Sequence, residues 1–286
     1  KKKYNKKRKF KIINKKIKIK KLNPSKNITV FEIKNILNKP NHCLKFLLKN
    51  ERSFNFDPSY YPGIRMEAPI KLKNELIELM LLINKKYYKI KGNIRESFFG
   101  FSKIDKPIDK LDLLNVFPHK DCVEFKNHKK SGLAIVIYLC NPNNNYGGTN
   151  IYEEKIPLFT KEFYKDKKYS KLLEKYNNLK NTKVSYDLDI SDFVKLIFNF
   201  KVEFNKAVIY RTNYFHRADI KNKYVQNNNH LKNPRYTITG FICFDKKLKS
   251  NFYDSFNNDD DDNFENLNTW YNDGTENEIL KSKYYL

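Results

Sequence analysis

Apolar residues follow two spacings along the chain, and these predict a short helical part followed by a β-rich part. Over residues 71–88 they recur every three or four positions, which predicts an amphipathic helix with one face on the core. A strand is predicted over residues 28–33 and a short helix over 41–49. From residue 97 onward, short β-type runs are separated by Gly, Pro and Asn clusters. The predicted strands cover residues 97–102, 116–123, 133–140, 150–153, 206–210 and 236–244.

The composition of the remaining segments predicts the domain organisation. Residues 1–27 are rich in lysine and hold no acid, which predicts a basic arm, and residues 251–286 predict an acidic, Asn-rich tail. Residues 28–250 then form one α+β, β-rich domain. Within it, residues from about 155 to 204 are rich in Lys and Tyr and indicate an insertion between strands. Its position suggests a lid that faces the substrate.

Net charge leaves the partner open. The 286 residues contain 57 Lys and Arg against 32 Asp and Glu, a formal charge of +25, which is typical of proteins that bind nucleic acid or another polyanion. The abundance of Lys, Asn, Ile and Tyr favours a plainer explanation, the codon usage of an AT-rich genome. Hydrophobic residues make up 40% of the chain, which is enough for a sizeable core and excludes wholesale disorder.

Cysteine usage and hydropathy indicate where the protein works. The four cysteines form no Cys-x-x-Cys pair, which excludes a disulfide-stapled miniprotein and a zinc finger and favours a reducing compartment. No run of eighteen apolar residues and no secretory signal are present, so no membrane partner is expected. We therefore expect an intracellular protein, in the cytoplasm or, for a viral protein, in the host cytoplasm.

A His-x-Asp pair is the first candidate for chemistry. His119 and Asp121 lie in a predicted strand, where residues i and i+2 point to the same face. Downstream, Gly147 and Gly148 permit a tight turn or a close backbone approach. His216 follows another predicted strand and is placed to complete a third metal position.

An Arg-x-Thr pair adds a second kind of site. Arg235 and Thr237 share one face of the last predicted strand, and a guanidinium beside a hydroxyl suits a carboxylate. Two His and one Asp form the facial triad typical of non-haem Fe(II). A 2-oxo acid would take two of the three remaining iron positions and O2 the third. The Arg-x-Thr pair would then bind the far carboxylate of 2-oxoglutarate.

The order of these motifs resembles that of the 2-oxoglutarate- and Fe(II)-dependent dioxygenase superfamily, most of all its prolyl-hydroxylase-like branch. In that branch a stretch similar to Tyr-Leu-Cys at 138–140 and Gly-Gly-Thr at 147–149 follows the His-x-Asp pair. Tyr-Pro-Gly-Ile-Arg at 61–65 is similar to an element of a little-characterised microbial and viral group. The resemblance covers residues from about 29 to 245.

The resemblance implies a double-stranded β-helix, or jelly roll, with helices on one side. It implies that His119, Asp121 and His216 are catalytic iron ligands, and that Arg235, assisted by Thr237, binds 2-oxoglutarate. Oxygen would be the second co-substrate, with ascorbate as a candidate accessory reductant. The reaction would hydroxylate an unidentified substrate and release succinate and CO2.

Alternatives stay open for single residues. Arg217 and Arg211 are other candidate cations for the carboxylate, although Arg217 is expected on the opposite strand face from His216. Arg65 either contacts the substrate or pairs with an acid in the core.

Alternatives also stay open for the function. A nucleic-acid demethylase of the same superfamily fits the charge, but that branch tends to carry a second arginine six residues after the first, where this chain has Phe241. A non-enzymatic basic β-domain that binds nucleic acid or another polyanion also fits. A zinc-dependent hydrolase with the same three ligands would leave the Arg-x-Thr pair without a task.

Overall fold

The computed structural model describes residues 12–56, 61–121, 131–140, 147–225 and 234–245. Its strands are β1 (Ile19–Ser25), β2 (Ile28–Lys34), β3 (Asn55–Phe56), β4 (Gly63–Glu67), β5 (Asn93–Ile104), β6 (Ser131–Tyr138), β7 (Thr149–Glu154), β8 (Val194–Phe200), β9 (Lys206–Arg211), β10 (Phe215–Ala218) and β11 (Arg235–Asp245). Its helices are α1 (Pro40–Lys49), α2 (Ile70–Ile83), α3 (Leu113–Val116), α4 (Lys161–Lys165) and α5 (Ser170–Lys180). Within these ranges no helix has both the length and the apolar composition that a membrane crossing requires. The outer part of the predicted arm and the predicted tail lie outside the described residues.

Two antiparallel sheets form the core. The large sheet has the order β1-β2-β9-β6-β11-β5-β4-β3, and the small sheet has the order β10-β7-β8. The chain passes from β6 in the large sheet to β7 and β8 in the small one, returns to β9, crosses to β10 and ends in β11. This exchange of antiparallel strands between two facing sheets is a double-stranded β-helix, or jelly roll. The predicted α+β, β-rich fold is confirmed.

Helices cover the outer face of the large sheet. The apolar side of α2, including Leu72, Leu76 and Leu79, is buried in one cluster with Ile135 and Ile137 of β6. Each such side chain contributes roughly 1.5–3 kcal/mol when fully buried. The amphipathic helix predicted from residue 71 is confirmed, and its packing leaves the opposite face of the sheet for the space between the two sheets.

The insertion packs on the small sheet. Tyr152 of β7 and Phe215 of β10 are buried in one apolar cluster with Phe163, Tyr176 and other residues of the insertion. The strand β8, which the sequence places inside the insertion, pairs with β7 and belongs to the jelly roll. The inserted part therefore ends before β8, and its apolar side chains cover the outer face of the small sheet.

Two predicted segments have a different structure. Strand β1 lies within the predicted basic arm but pairs with β2, so the ordered domain begins earlier than residue 28. The predicted strand over 116–123 is absent among its described residues, where α3 ends at Val116 and His119 forms a single β-bridge. The bridge partner lies far along the chain, so local alternation alone did not reveal how short this pairing is.

The cysteines are not all free thiols, as a reducing compartment would lead one to expect. Cys43 and Cys140 are free thiols, whereas Cys243 is disulfide-bonded. The cysteine pattern therefore does not by itself establish a reducing compartment.

Candidate metal centre

Two histidines from distant parts of the chain meet between the sheets. His119 and His216 form an isolated antiparallel bridge in which each backbone N–H donates to the carbonyl of the other at 3.0 Å. The N–H of Asp121 donates to the carbonyl of Thr212 at 3.1 Å. His216 pairs with Ile151, whose side chain lies in the cluster between the two sheets. The backbone thus fastens the His-x-Asp segment to β10 and the loop before it.

The three side chains converge to form a possible metal site. His119 Nε2 lies 3.8 Å from Asp121 Oδ1, and His216 Nε2 lies 3.5 Å from Asp121 Oδ2. One ligand atom from each residue fits within a mutual separation of 4.8 Å. Metal–ligand bonds of about 2.0–2.2 Å place neighbouring ligand atoms roughly 3 Å apart, so small side-chain movements suffice to hold one ion.

Both imidazoles are disfavoured as cations. The pKa of His216, whose side chain is 7% exposed, is lowered by burial to about 4. The pKa of His119 is lowered as well, by desolvation and by His216, but its side chain is 57% exposed, so solvent weakens this effect. His216 Nδ1 lies 3.0 Å from the carbonyl of Tyr214, and because a carbonyl only accepts, Nδ1 carries the proton. The lone pair of its Nε2 is then directed at Asp121, the orientation that a metal ligand needs.

The carboxyl of Asp121 depends on nearby positive charge. Burial raises its pKa, while the guanidinium of Arg65 lowers it. A cation bound between the three side chains would favour the ionised carboxylate. The site is therefore suited to a positive ion.

Arg235 and Thr237 lie on the same inner face. Thr237 pairs with Tyr138, which lies in the cluster between the sheets, and Arg235 precedes it by two residues on β11. Arg235 is only 2% exposed, donates to the carbonyl of Gly148 at 3.1 Å and stands 5.4 Å over the ring of Tyr138. Its Nε and the hydroxyl of Thr237 are buried without a hydrogen-bond partner, and no acid pairs with Arg235 in the described part of the chain. An uncompensated buried cation calls for an anion.

The double glycine allows the backbone to approach this arginine. A Cβ on Gly148 would lie 1.5 Å from the carbonyl oxygen of Phe200, and one on Gly147 would lie 1.4 Å from that of Asp219. The close backbone approach predicted here is thus what the structure shows. The next residue, Thr149, shares a hydrogen bond of 2.8 Å with the hydroxyl of Tyr138. The Gly-Gly-Thr turn therefore builds one wall of the pocket around Arg235.

The alternative arginines point elsewhere. Arg217 donates to the carbonyls of Val116 at 3.0 Å and Leu188 at 3.4 Å, on the outer face of the small sheet. Arg211 donates to the hydroxyl of Ser131 at 2.7 Å. Arg235 remains the cation that the fold places beside Thr237.

Tyr61 and Arg65 add a second wall that sequence reasoning did not assign. The guanidinium carbon of Arg65 lies 4.0 Å from the ring centre of Tyr61 and 5.2 Å from that of Phe98. Arg65 pairs with Ser102 on β5, and Ser102 pairs with Thr237 on β11, so these residues form one row across the sheet. The sequence signal was the Tyr-Pro-Gly-Ile-Arg motif itself.

Comparisons give one family match and several distant structural similarities. A model described as a family of unknown function, DUF6445, matches residues 14–242. No curated protein matches the sequence significantly. A prolyl hydroxylase from Trichoplax adhaerens, in complex with a hypoxia inducible factor oxygen degradation domain peptide fragment, has 13% identity and a TM-score of 0.42, over 76% of this chain and 84% of that chain.

EvdO2 from Micromonospora carbonacea var. aurantiaca has 10% identity and a TM-score of 0.41, over 77% of this chain and 89% of that chain. The same protein complexed with 2-oxoglutarate has 10% identity and a TM-score of 0.37, with the same coverage. The function of the present chain is therefore argued from its own residues.

Proposed function

The chain belongs to DUF6445, a family of unknown function, and from the site described above we propose that it is a non-haem Fe(II)- and 2-oxoglutarate-dependent oxygenase. It would hydroxylate an unidentified substrate. The observation that carries the proposal is the presence, between the same two sheets, of a His-Asp-His cluster and a buried arginine without an acidic partner among the described residues. Either feature alone would fit several kinds of site, whereas the pairing of a metal with a dicarboxylic 2-oxo acid uses both.

The donor set fits ferrous iron. Two imidazoles and one carboxylate are the facial triad of non-haem Fe(II) oxygenases, and they leave three octahedral positions open. His119 and His216 would bind through nitrogen atoms that carry no proton at neutral pH, and Asp121 would supply the negative charge. With 2-oxoglutarate and O2, bound iron supplies the oxidative chemistry that yields succinate, CO2 and a hydroxylated product.

Arg235 and Thr237 fit the far carboxylate of 2-oxoglutarate. Their orphaned Nε and hydroxyl groups are donors that a carboxylate satisfies, and its charge offsets the buried guanidinium. Tyr210 lies beside the candidate metal ligands, because its ring centre is 4.7 Å from that of His216. Its pKa, which burial raises, is raised further by Asp121 and lowered by Arg235.

The chain would position the co-substrate and exclude water from the part of the pocket around Arg235, which is 2% exposed. Apolar side chains of both sheets, including Val136, Ile151 and Val208, are buried around the inner face. They make the pocket a medium of low dielectric constant, where the interaction of Arg235 with a carboxylate is stronger than in water.

The alternatives account for fewer of these features. A polyanion-binding domain accounts for the net charge but gives no role to a converged His-Asp-His cluster. A zinc hydrolase gives no role to Arg235. At the position of a second arginine, Phe241 instead packs 6.1 Å from Phe98.

Anaerobic titration with Fe(II) and 2-oxoglutarate tests the proposal. We expect the weak visible metal-to-ligand charge-transfer band in the wild type, and its loss in Asp121→Ala because one iron ligand is missing. Glu162→Gln removes a carboxylate from the exposed part of α4 and should keep the band. A folded wild type without the band would contradict the proposal. Salt-sensitive nucleic-acid binding without release of succinate would favour the binding domain.

A further inference from the structure

Three orphaned polar atoms gather beside the Arg-x-Thr pair. The hydroxyls of Tyr61 and Thr237 and the Nε of Arg235 are all buried, and none has a hydrogen-bond partner in the described part of the chain. The hydroxyls of Ser102 and Thr237 lie close enough to the Tyr61 phenol to lower its pKa, as do the charges of Arg65 and Arg235, but neither hydroxyl reaches the phenol with hydrogen-bond geometry. These groups therefore surround one small volume.

The guanidinium of Arg65 packs on the face of the Tyr61 ring and holds it in place. Arg65 stands 4.0 Å over that ring, a distance typical of a cation–π contact. Arg65 itself is fixed by strand pairing, opposite Ser102, and Ser102 lies opposite Thr237. Since neighbouring strands are about 4.8 Å apart, Arg65 and Thr237 are separated by one intervening strand, and the Tyr61 ring that packs on Arg65 lies near the Arg-x-Thr pair.

The phenol is a hydrogen-bond donor at neutral pH. Burial raises the pKa of Tyr61, and this outweighs the lowering by Arg65 and Arg235. A neutral phenol keeps its proton and can donate it to an acceptor. Hydroxyl groups that stay buried without partners cost stability unless a ligand satisfies them.

We infer that Tyr61 is a co-substrate-binding residue whose hydroxyl donates to the far carboxylate of 2-oxoglutarate, together with Arg235 and Thr237. This inference rests on the proposed function and deepens it. Three converging donors make the pocket selective for a dicarboxylic 2-oxo acid over a monocarboxylic one. The Tyr-Pro-Gly-Ile-Arg motif then has a defined task, since its arginine holds the tyrosine against the ligand.

Tyr61→Phe tests the inference because it removes one oxygen atom and keeps the ring on Arg65. Dissociation constants of 2-oxoglutarate and of pyruvate would be measured anaerobically on the Fe(II)-loaded protein, and the Fe(II) constant separately. We expect 2-oxoglutarate to bind roughly tenfold or more weakly, from the loss of a hydrogen bond to a charged group. Pyruvate and Fe(II) should bind as in the wild type, because neither reaches the far carboxylate position.

Tyr88→Phe is the matched control. Its hydroxyl donates to the carbonyl of Thr29 at 2.7 Å, away from the pocket, so its loss should leave all three constants unchanged. The ligand-free stability gives a second readout. Removal of an orphaned hydroxyl should leave the melting temperature of Tyr61→Phe equal to or above that of the wild type, whereas Tyr88→Phe should lower it.

The outcomes separate the inference from the proposed function. Wild-type affinity for 2-oxoglutarate in Tyr61→Phe would overturn the inference alone. Equal weakening of 2-oxoglutarate and pyruvate, or a Tyr61→Phe protein that does not fold, would overturn it too, because the hydroxyl would then be structural. A wild type that binds Fe(II) but not 2-oxoglutarate would overturn both.

Discussion

His119 and His216 are joined by two reciprocal backbone hydrogen bonds of 3.0 Å, and their ring centres lie 4.5 Å apart. The bridge is isolated, because no ladder extends it among the described residues. A metal ion held by both side chains would therefore add a cross-link where the backbone supplies only one bridge. Metal binding and the stability of this end of the jelly roll should be coupled.

Metal removal should lower stability measurably. At a free Fe(II) concentration 100 times the dissociation constant, binding to the folded state adds about 2.7 kcal/mol. For a domain of this size, that raises the melting temperature by roughly 5–10 °C. Differential scanning calorimetry under anaerobic conditions, with and without a chelator, would measure the shift.

His216→Ala should abolish this metal-dependent shift because it removes a ligand. His42→Ala is the matched control, since His42 is exposed on α1, on the other side of the large sheet. A shift that persists in His216→Ala would place the ion elsewhere.

Gly148→Ala should destabilise the fold and the pocket together. The added Cβ would overlap the carbonyl of Phe200, and overpacking of this severity costs about 3 kcal/mol or more. The carbonyl of Gly148 also accepts from Arg235, so 2-oxoglutarate binding should weaken in the folded fraction. Urea unfolding measures the first effect and anaerobic titration the second.

Leu196→Ala is the reference for that comparison. Leu196 is 52% exposed on β8, so its truncation should stay within about 0.5 kcal/mol of the wild type. Equal stability of the two variants would mean that the double glycine serves no packing role.

Much of the candidate site could be predicted from the sequence, because strand alternation, which decides which residues share a face, is a local property. Arg235 and Thr237 share a face in the structure as they do in the pattern, and the double glycine makes the close approach expected of it. The candidate His-Asp-His triad was predicted from residue types and order. Whether those side chains meet depends on pairing between β10 and a distant segment, which no local pattern shows.

Tertiary pairing also accounts for the features that local patterns missed. Tyr61 was part of a recognised motif, but its neighbours Thr237 and Arg235 lie two strands away across the sheet. The pairing of β1 with β2 was hidden because the adjacent Lys20 and Lys21 break the alternation of apolar and polar residues along this edge strand. Among its described residues, 116–121, the predicted strand over 116–123 reduces to one bridge because His119 pairs with a single residue of β10.

Arg235→Lys should weaken 2-oxoglutarate binding without affecting the metal. Lysine keeps the charge but loses the planar fork that engages a carboxylate and also reaches the carbonyl of Gly148. We expect a loss of roughly tenfold or more in affinity for 2-oxoglutarate, measured by anaerobic titration, with an unchanged Fe(II) constant.

Arg217→Lys gives the matched control for that change. Arg217 lies on strand β10 of the small sheet but donates to backbone carbonyls on the outer face. Its substitution should therefore leave 2-oxoglutarate affinity at the wild-type level. If Arg217→Lys had the larger effect, the assignment of the carboxylate to Arg235 would be wrong.

Phe193→Ala should lower both the stability of the protein and its affinity for Fe(II), because Phe193 of the insertion packs against the segment that holds His119. Phe193 is fully buried and its ring lies 5.5 Å from that of Phe117, two residues before His119. Truncation of a buried phenylalanine costs about 3–5 kcal/mol, measured by urea unfolding. Since Phe117 packs next to the His119 segment, Fe(II) affinity should fall as well.

Tyr164→Ala, an aromatic change at an exposed position of the same insertion, should have neither effect. If Phe193→Ala kept wild-type stability and Fe(II) affinity while substrate selectivity changed, the insertion would be the lid that its sequence position suggested.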